Sequence, residues 1–291
     1  MEQLPTRTSG GDQVDGGFKP ANEMETRAAL LERSRRSFAP IPKVFVQNPN
    51  KQLSERAGPL SIFVHHGDIR ALHAFCLLHA IISSGEGDNG WSTTLPISTW
   101  ARAFDATRTA ERQSASSATS KILGRLEERN LIKRARRGRE RKVTVTLLRP
   151  DGSGSAYTRP GKANEDRFLH LSNLFWTAGW YDRLDLPATA MLLVALHEKP
   201  SFELPTERVP AWYGWSADTA ERGLKTLESV GLIAKTTRLK KAPLSPTGQT
   251  RVNIYTLKPP FASTESLVAL AEPTHKRNPA RRLRVSRKTT P

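Results

Sequence analysis

His73, Cys76 and His79 have the spacing of a metal site, one helical turn between each pair. Imidazole and thiolate are ligands that zinc prefers, and residues three apart share one face of a helix. However, Cys76 belongs to an apolar run, and no further ligand pair accompanies the three residues. We therefore interpret them as part of a helical core and expect neither a metal nor a cofactor.

Motifs of nucleotide and calcium chemistry are missing from the sequence. No Gly-x-x-x-x-Gly-Lys loop is present to cradle phosphates, so nothing suggests an ATPase. The segment Asp88-Asn89-Gly90 resembles part of a calcium loop, but the later ligands do not follow, and we interpret it as a turn. We expect a protein without enzymatic activity.

Basic side chains dominate the charge of the 291-residue chain. Lys and Arg number 45 against 28 acids, which gives a formal net charge of +17. Such an excess attracts polyanions, and nucleic acid is the leading candidate, with a membrane surface or an acidic protein as alternatives. The densest cluster has one acid, Glu140, among six cations: Arg134, Arg136, Arg137, Arg139, Arg141 and Lys142.

The elements around this cluster form a recognisable series. Apolar periodicity predicts a helix over 69–83, a short helix from Pro96 through Phe104 and a third helix over 114–129. Alternation then predicts strands over 131–136 and 141–148, joined in a hairpin by 137–140. The basic cluster thus lies in a hairpin that follows a helix.

A second series follows further along the chain. Helices are predicted over 186–197, 205–213 and 216–230, and strands over 232–237 and 250–257. Leu95-Pro96 recurs as Leu204-Pro205. A constant offset of 101 positions relates Leu123, Leu126, Glu127, Leu131 and Ile132 to Leu224, Leu227, Glu228, Leu232 and Ile233. This offset indicates a duplicated structural unit.

One stretch of the second series resembles the helix-turn-helix of bacterial winged-helix regulators. It reads Gly214-x-Ser216-x-x-Thr219-x-x-Arg222-x-Leu224-x-x-Leu227-x-x-x-Gly231-Leu232-Ile233. The first series has Asn130 where Gly231 stands. The resemblance implies a mainly α fold with small β-hairpin wings (α+β), in two tandem winged-helix domains joined by a linker. It also implies that each third helix enters the major groove while the wing contacts the DNA backbone or the minor groove.

The candidate DNA contacts lie on the third helices and the wings. In the first series they are Ser114, Ser117, Lys121, Arg125, Arg134, Arg136, Arg137, Arg139, Arg141 and Lys142, and in the second they are Arg222, Lys225, Lys240 and Lys241. Asp218 and Glu221 oppose phosphates in the second series. Whether this second domain contacts DNA or serves as a dimer or partner module therefore stays open.

The predicted organisation has five parts. Residues 1–59 form a disordered or extended arm, 60–150 the first winged-helix domain, 151–167 a linker, 168–260 the second domain and 261–291 a disordered basic tail. The single cysteine fits a reducing compartment, and neither an export signal nor a membrane-spanning stretch is found. We expect a cytoplasmic, nucleoid-associated protein.

The predicted function is site-specific binding of double-stranded DNA by a bacterial, plasmid or phage transcriptional regulator. A plasmid replication initiator is the first alternative, since such initiators resemble two winged helices joined by a linker. A winged-helix module that binds a protein partner is the second. Formation of a homodimer is left open.

Overall fold

The computed structural model describes residues 19–85, 90–108, 112–137, 141–161 and 167–262. The predictions for 1–18, Asp88-Asn89, the hairpin turn 138–140, residues 162–166 and the basic tail from 263 onward fall outside these residues. The described chain divides into two compact units. The first comprises residues 19–37, 70–157 and 176–178, and the second comprises 38–69, 158–175 and 179–262.

Over its described residues, the first unit contains four helices and a three-stranded antiparallel sheet. In chain order the elements are α1 (Glu23–Ser34), α3 (Ile69–Ile81), β2 (Ser92–Pro96), α4 (Ile97–Ala103), α5 (Arg112–Glu128), β3 (Ile132–Arg137) and β4 (Lys142–Leu147). Strand β4 lies between the other two, with Leu95 opposite Val143 and Ile132 opposite Leu147.

The second unit contains a two-stranded and a three-stranded antiparallel sheet. Its elements are β1 (Phe38–Pro42), α2 (Leu60–His65), β5 (Phe168–Ser172), α7 (Trp180–Arg183), α8 (Leu186–His197), β6 (Ser201–Glu203), α9 (Val209–Tyr213), α10 (Ala217–Ser229), β7 (Ile233–Lys241) and β8 (Gln249–Leu257). Short 3-10 turns precede α2 and α9, and α6 (Leu174–Thr177) is divided between the units. Strand β8 lies between β6 and β7, and β1 pairs with β5.

Both units share one succession of elements. Helix, strand, helix, helix, strand and strand follow one another as α3-β2-α4-α5-β3-β4 and as α8-β6-α9-α10-β7-β8. In each sheet the last strand of the series is the central one. The α+β class with small antiparallel sheets is therefore confirmed. Strands β2 and β6 were not among the predicted elements, and they provide the third strand of each sheet.

The residues related by the offset of 101 occupy equivalent places. Leu126 and Leu227 are fully buried, and Leu131 and Leu232 are each at most 1% exposed. Between them, Asn130 and Gly231 both have a positive φ, of 56° and 77°. Glycine adopts this conformation freely, and Asn tolerates it better than most other residues. The same left-handed turn therefore connects helix to strand in both units.

The N-terminal segment differs from the predicted disordered or extended arm over 1–59, because α1 belongs to the first unit. Asn22 and Glu25 form a capping box, with the Glu25 amide donating to Asn22 Oδ1 at 2.9 Å. Arg27 is 4% exposed, and its Nη1 lies 2.7 Å from Asp105 Oδ1. A buried arginine breaks the apolar periodicity, which is why the sequence pattern did not predict a packed helix.

Residues 38–69 also differ from prediction, because they pack in the second unit. Strand β1 pairs with β5, and the side chains of Leu60 and Phe63, predicted to begin the first domain, are fully buried in the second unit. Lys43 donates a hydrogen bond to the carbonyl of His197 at the end of α8. These contacts depend on partners far along the chain, which a local pattern does not reveal.

Lys43 is part of a polar cluster at the end of α8. The hydroxyl of Tyr213 donates to Glu198 Oε1 at 2.8 Å, and His197 Nδ1 lies 3.1 Å from the same oxygen. Burial by itself raises the pKa of Glu198, but these hydrogen bonds and the charge of Lys43 outweigh it, so the pKa lies below its ordinary value. The cluster therefore joins the segment after β1 to α8 and α9.

The predicted linker 151–167 is structured in its first part. Ser153 donates its amide to Asp151 Oδ1 at 2.9 Å, and Leu148 forms a β-bridge with Ala156. Tyr157 is 7% exposed, and its ring meets those of Trp91 and His79 edge to face. The first unit therefore extends to Tyr157, beyond the predicted boundary at 150, because an aromatic anchor ends a segment that otherwise reads as Gly- and Ser-rich.

Close packing of α8 and α10 leads to a stability prediction. A Cβ at Gly223 of α10 would lie 2.3 Å from the carbonyl oxygen of Pro187, whereas at Gly124 of α5 its nearest neighbour would be the Arg134 side chain at 3.6 Å. We expect Gly223→Ala to lower the free energy of unfolding by about 1–3 kcal/mol through overpacking. The matched control Gly124→Ala leaves it unchanged or raises it by up to about 1 kcal/mol, because alanine favours helix. Denaturant unfolding followed by circular dichroism measures both, and equal effects would contradict the close approach.

Candidate nucleic-acid interface

Helix α5 has an apolar face and a polar face that lacks acidic residues for most of its length. No Asp or Glu occurs from Arg112 to Leu126. Its buried side chains recur at the helical period, since Ala115, Thr119, Ile122, Leu123 and Leu126 are each at most 2% exposed. The opposite face therefore presents hydroxyls and cations to solvent until Glu128, which is exposed near the end of the helix.

Three of the four residues predicted on this face are exposed in the structure. Ser114, Ser117 and Lys121 lie one turn apart along α5 and are all exposed, while Arg125 is only half-buried. Hydroxyl and ammonium groups at this spacing can donate to phosphate oxygens or to base edges in a groove. The structure thus gathers the four predicted residues along one side of the helix.

The first hairpin consists of β3 and β4, and its cations have different surroundings. Arg134 is held against α5: its Nε lies 2.6 Å from Glu127 Oε2, and its Nη1 donates to the carbonyl of Ser120 at 2.9 Å. The Arg134 amide also donates to Glu127 Oε1 at 3.0 Å. Arg134 therefore connects the hairpin to the helix, a structural role that its position in a basic run did not reveal.

The other cations of the first hairpin are placed further out. Arg136 and Arg141 are exposed and Lys142 is half-buried. Arg137 is the last residue of β3, but its side chain is outside the described part of the structure. The whole of Arg139 is outside it as well. The carbonyl of Arg141 accepts a hydrogen bond from the amide of Ile97 at 3.1 Å, which ties the hairpin to the start of α4. Among the described cations predicted in this hairpin, Arg136 and Arg141 are consequently best placed to meet a phosphate. Lys133, which was not predicted, is exposed as well.

Helix α10 of the second unit has a different charge pattern from α5. Ala220, Leu224 and Leu227 form its buried face, and Ser216 caps it by accepting from the Thr219 amide at 3.2 Å. Its exposed face carries Arg222 and Lys225, both predicted contacts, together with three acids: Asp218, Glu221 and Glu228. Arg222 Nε lies 3.3 Å from Asp218 Oδ2. One of the two predicted cations is therefore already paired within the helix.

The second hairpin consists of β7 and β8, and it holds more cations than were predicted. Lys240 is paired through its Nζ with Glu203 Oε2 at 2.9 Å, and Lys241 is exposed. The hydrogen bond from Lys240 is the main reason that the pKa of Glu203 lies below its ordinary value. The unpredicted cations are Lys235, Arg238 and Arg251. The available signal was the absence of any acid between Ile233 and Leu257.

Cys76 and His79 of α3 belong to a packed core, whereas His73 is half-buried. Cys76 is fully buried, and burial raises the pKa of its thiol. His79 is 1% exposed, and its ring centroid lies 4.6 Å from that of Phe75. Over the described residues, no group of three potential metal ligands comes together.

Comparison with known proteins adds no relative. No protein-family model, curated protein or solved structure matches the chain. None of the described helices has both the length and the apolar character needed to cross a membrane.

The contrast between Arg134 and Arg136 can be tested by stability measurements. Arg134→Ala removes an ion pair and a hydrogen bond that join hairpin to helix, and we expect the free energy of unfolding to fall by about 1 kcal/mol. Arg136→Ala, two residues further along the same strand, should change it by less than about 0.5 kcal/mol. Thermal and denaturant unfolding of both variants provides the comparison. A larger loss for Arg136→Ala would show that the structural roles are reversed.

Proposed function

We propose that this protein binds double-stranded DNA at specific sites through two tandem winged-helix domains and regulates transcription. The main support is the first unit, where a helix without acids from Arg112 to Leu126 adjoins a hairpin rich in cations. Seven cations and one acid lie between Ile132 and Leu147. Charges of one sign repel each other in an isolated domain, whereas phosphates turn the same arrangement into attraction.

The order of elements supports the winged-helix part of the proposal. In helix-turn-helix proteins the recognition helix lies in the major groove and the preceding helix crosses the backbone. Helices α4 and α5 have this succession, and the first hairpin follows α5 as a wing would. The second unit repeats the series, with Asn130 and Gly231 at equivalent turns.

The division of tasks follows from the chemistry of each side chain. Lys121 and Arg125 on α5 are suited to acceptors on guanine, and Ser114 and Ser117 to either base edges or phosphates. Arg136 and Arg141 on the first hairpin are suited to phosphates, which position a protein without specifying sequence. A regulator needs both kinds of contact, and it would act at the nucleoid.

Salt dependence tests the proposal. If about six phosphates are neutralised, the logarithm of the association constant falls with the logarithm of salt concentration at a slope near −5. Fluorescence anisotropy with a random-sequence 30-base-pair duplex, titrated at several KCl concentrations, measures this slope. Arg136→Ala should make the slope less steep by about 1.

The matched control is Arg149→Ala, which removes an equal charge. Arg149 lies beyond the other end of β4, where its Nε pairs with Asp151 Oδ2 at 2.7 Å. We expect this variant to keep the wild-type slope. Binding that does not respond to salt, or equal effects of the two variants, would remove the electrostatic basis of the proposal.

A further inference from the structure

The exposed face of α10 is poorly suited to a DNA groove. Three carboxylates stand on it against two cations, and Arg222 is engaged by Asp218. In a major groove these carboxylates would lie between two rows of phosphates, where like charge is strongly unfavourable. The equivalent part of α5 has no acid before Glu127. The two helices therefore differ in charge although their buried faces correspond.

The second hairpin has the charge that α10 lacks. Five cations and no acid lie between Ile233 and Leu257: Lys235, Arg238, Lys240, Lys241 and Arg251. Strand β6 pairs only with the base of the hairpin, where Glu203 lies opposite Ile254. From Thr237 to Lys241 the hairpin is two-stranded and extends about 16 Å, at roughly 3.3 Å per residue. This two-stranded part of the hairpin is exposed, and we call it the arm.

The two faces of this arm are not equivalent. Side chains alternate along a strand, so Arg238 and Lys240 lie on one face, where both pair with Glu203. Lys241 lies on the opposite face, as does Leu239. Arg251 is the cross-strand partner of Leu239, so Arg251 lies on the same face as Lys241. In the part of the chain that the structure describes, neither Lys241 nor Arg251 has an ion-pair partner. As diagonal neighbours on one face, they lie roughly 7–8 Å apart.

We infer that the second unit holds DNA by its hairpin and not by its helix. Lys241 and Arg251 contact phosphates, α10 stays outside the major groove, and base discrimination rests on α5 of the first unit. The partner of the arm is a nucleic-acid backbone of any sequence. This inference rests on the proposed function, and it specifies how the second unit contributes to it.

A pair of double variants separates hairpin from helix. Lys241→Ala/Arg251→Ala and Arg222→Ala/Lys225→Ala each remove two exposed cations from the same unit, so they change the net charge equally. Both are introduced in the full chain, and thermal unfolding confirms that they fold. Binding to a random-sequence 30-base-pair duplex is then measured against KCl concentration.

We expect the hairpin variant to make the salt slope less steep by about 2, one for each phosphate that is no longer neutralised, and the helix variant to leave it unchanged. A third variant, Asp218→Asn/Glu221→Gln, should change affinity by less than about twofold, since acids outside the groove face no phosphate.

An altered slope in the helix variant, or a clear gain of affinity in the third, would place α10 on the DNA and overturn the inference. If the wild-type chain binds and the hairpin variant keeps the wild-type slope, the inference is overturned as well. Failure of the wild-type chain to bind any duplex would instead refute the proposed function itself.

Discussion

The left-handed turn after α5 determines where the first hairpin lies. Asn130 has a φ of 56°, and the next two residues, Leu131 and Ile132, are buried to within 1%. The Leu131 amide donates to the Leu126 carbonyl at 3.0 Å, so the chain reverses within one turn of the helix end. Because the strand starts where the helix ends, Arg134 of β3 reaches Glu127 and the Ser120 carbonyl of α5. The same turn at Gly231 starts the second hairpin.

Buried apolar residues at the base of each hairpin also explain how the fold accommodates so many cations there. In the first unit the buried residues of α5, β3 and β4 hold the hairpin, and Arg134 adds an ion pair to Glu127. In the second unit Ile233, Tyr255 and Leu257 are at most 5% exposed at the hairpin base. Hydrophobic burial of this kind stabilises by about 1.5–3 kcal/mol for a large side chain, and salt screens the repulsion between exposed charges. In the second hairpin, Lys241 and Arg251 are thus available for binding.

Local patterns in the sequence predicted the helices well and the short strands poorly. The helix 186–197 was predicted with its bounds, because a long apolar run follows Asp185, whose side chain caps it by accepting from the Ala188 amide at 2.8 Å. Strand β6 has three residues and pairs with β8, more than forty positions later. Strands this short carry no periodicity of their own, so their pairing appears only in three dimensions.

The candidate interface was predictable in composition but not in arrangement. Basic runs and the repeat indicated the two hairpins, and a charge count would have added Lys235, Arg238 and Arg251. The structural role of Arg134 depends on how β3 packs on α5, and the pairing of Lys240 depends on β6. Likewise, the burial of Arg27 depends on its ion pair with Asp105, which lies in the turn after α4. Each of these pairings depends on tertiary contacts that a single element does not specify.

Site-specific DNA binding is the central claim, and selection from a random double-stranded DNA library tests it most directly. The full chain is incubated with the library at physiological salt, and bound duplexes are amplified and sequenced over several rounds. Because base discrimination rests on α5 of the first unit, and the second unit contacts only the backbone, the account predicts enrichment of one asymmetric sequence. Recovery of duplexes with no enriched sequence would contradict it.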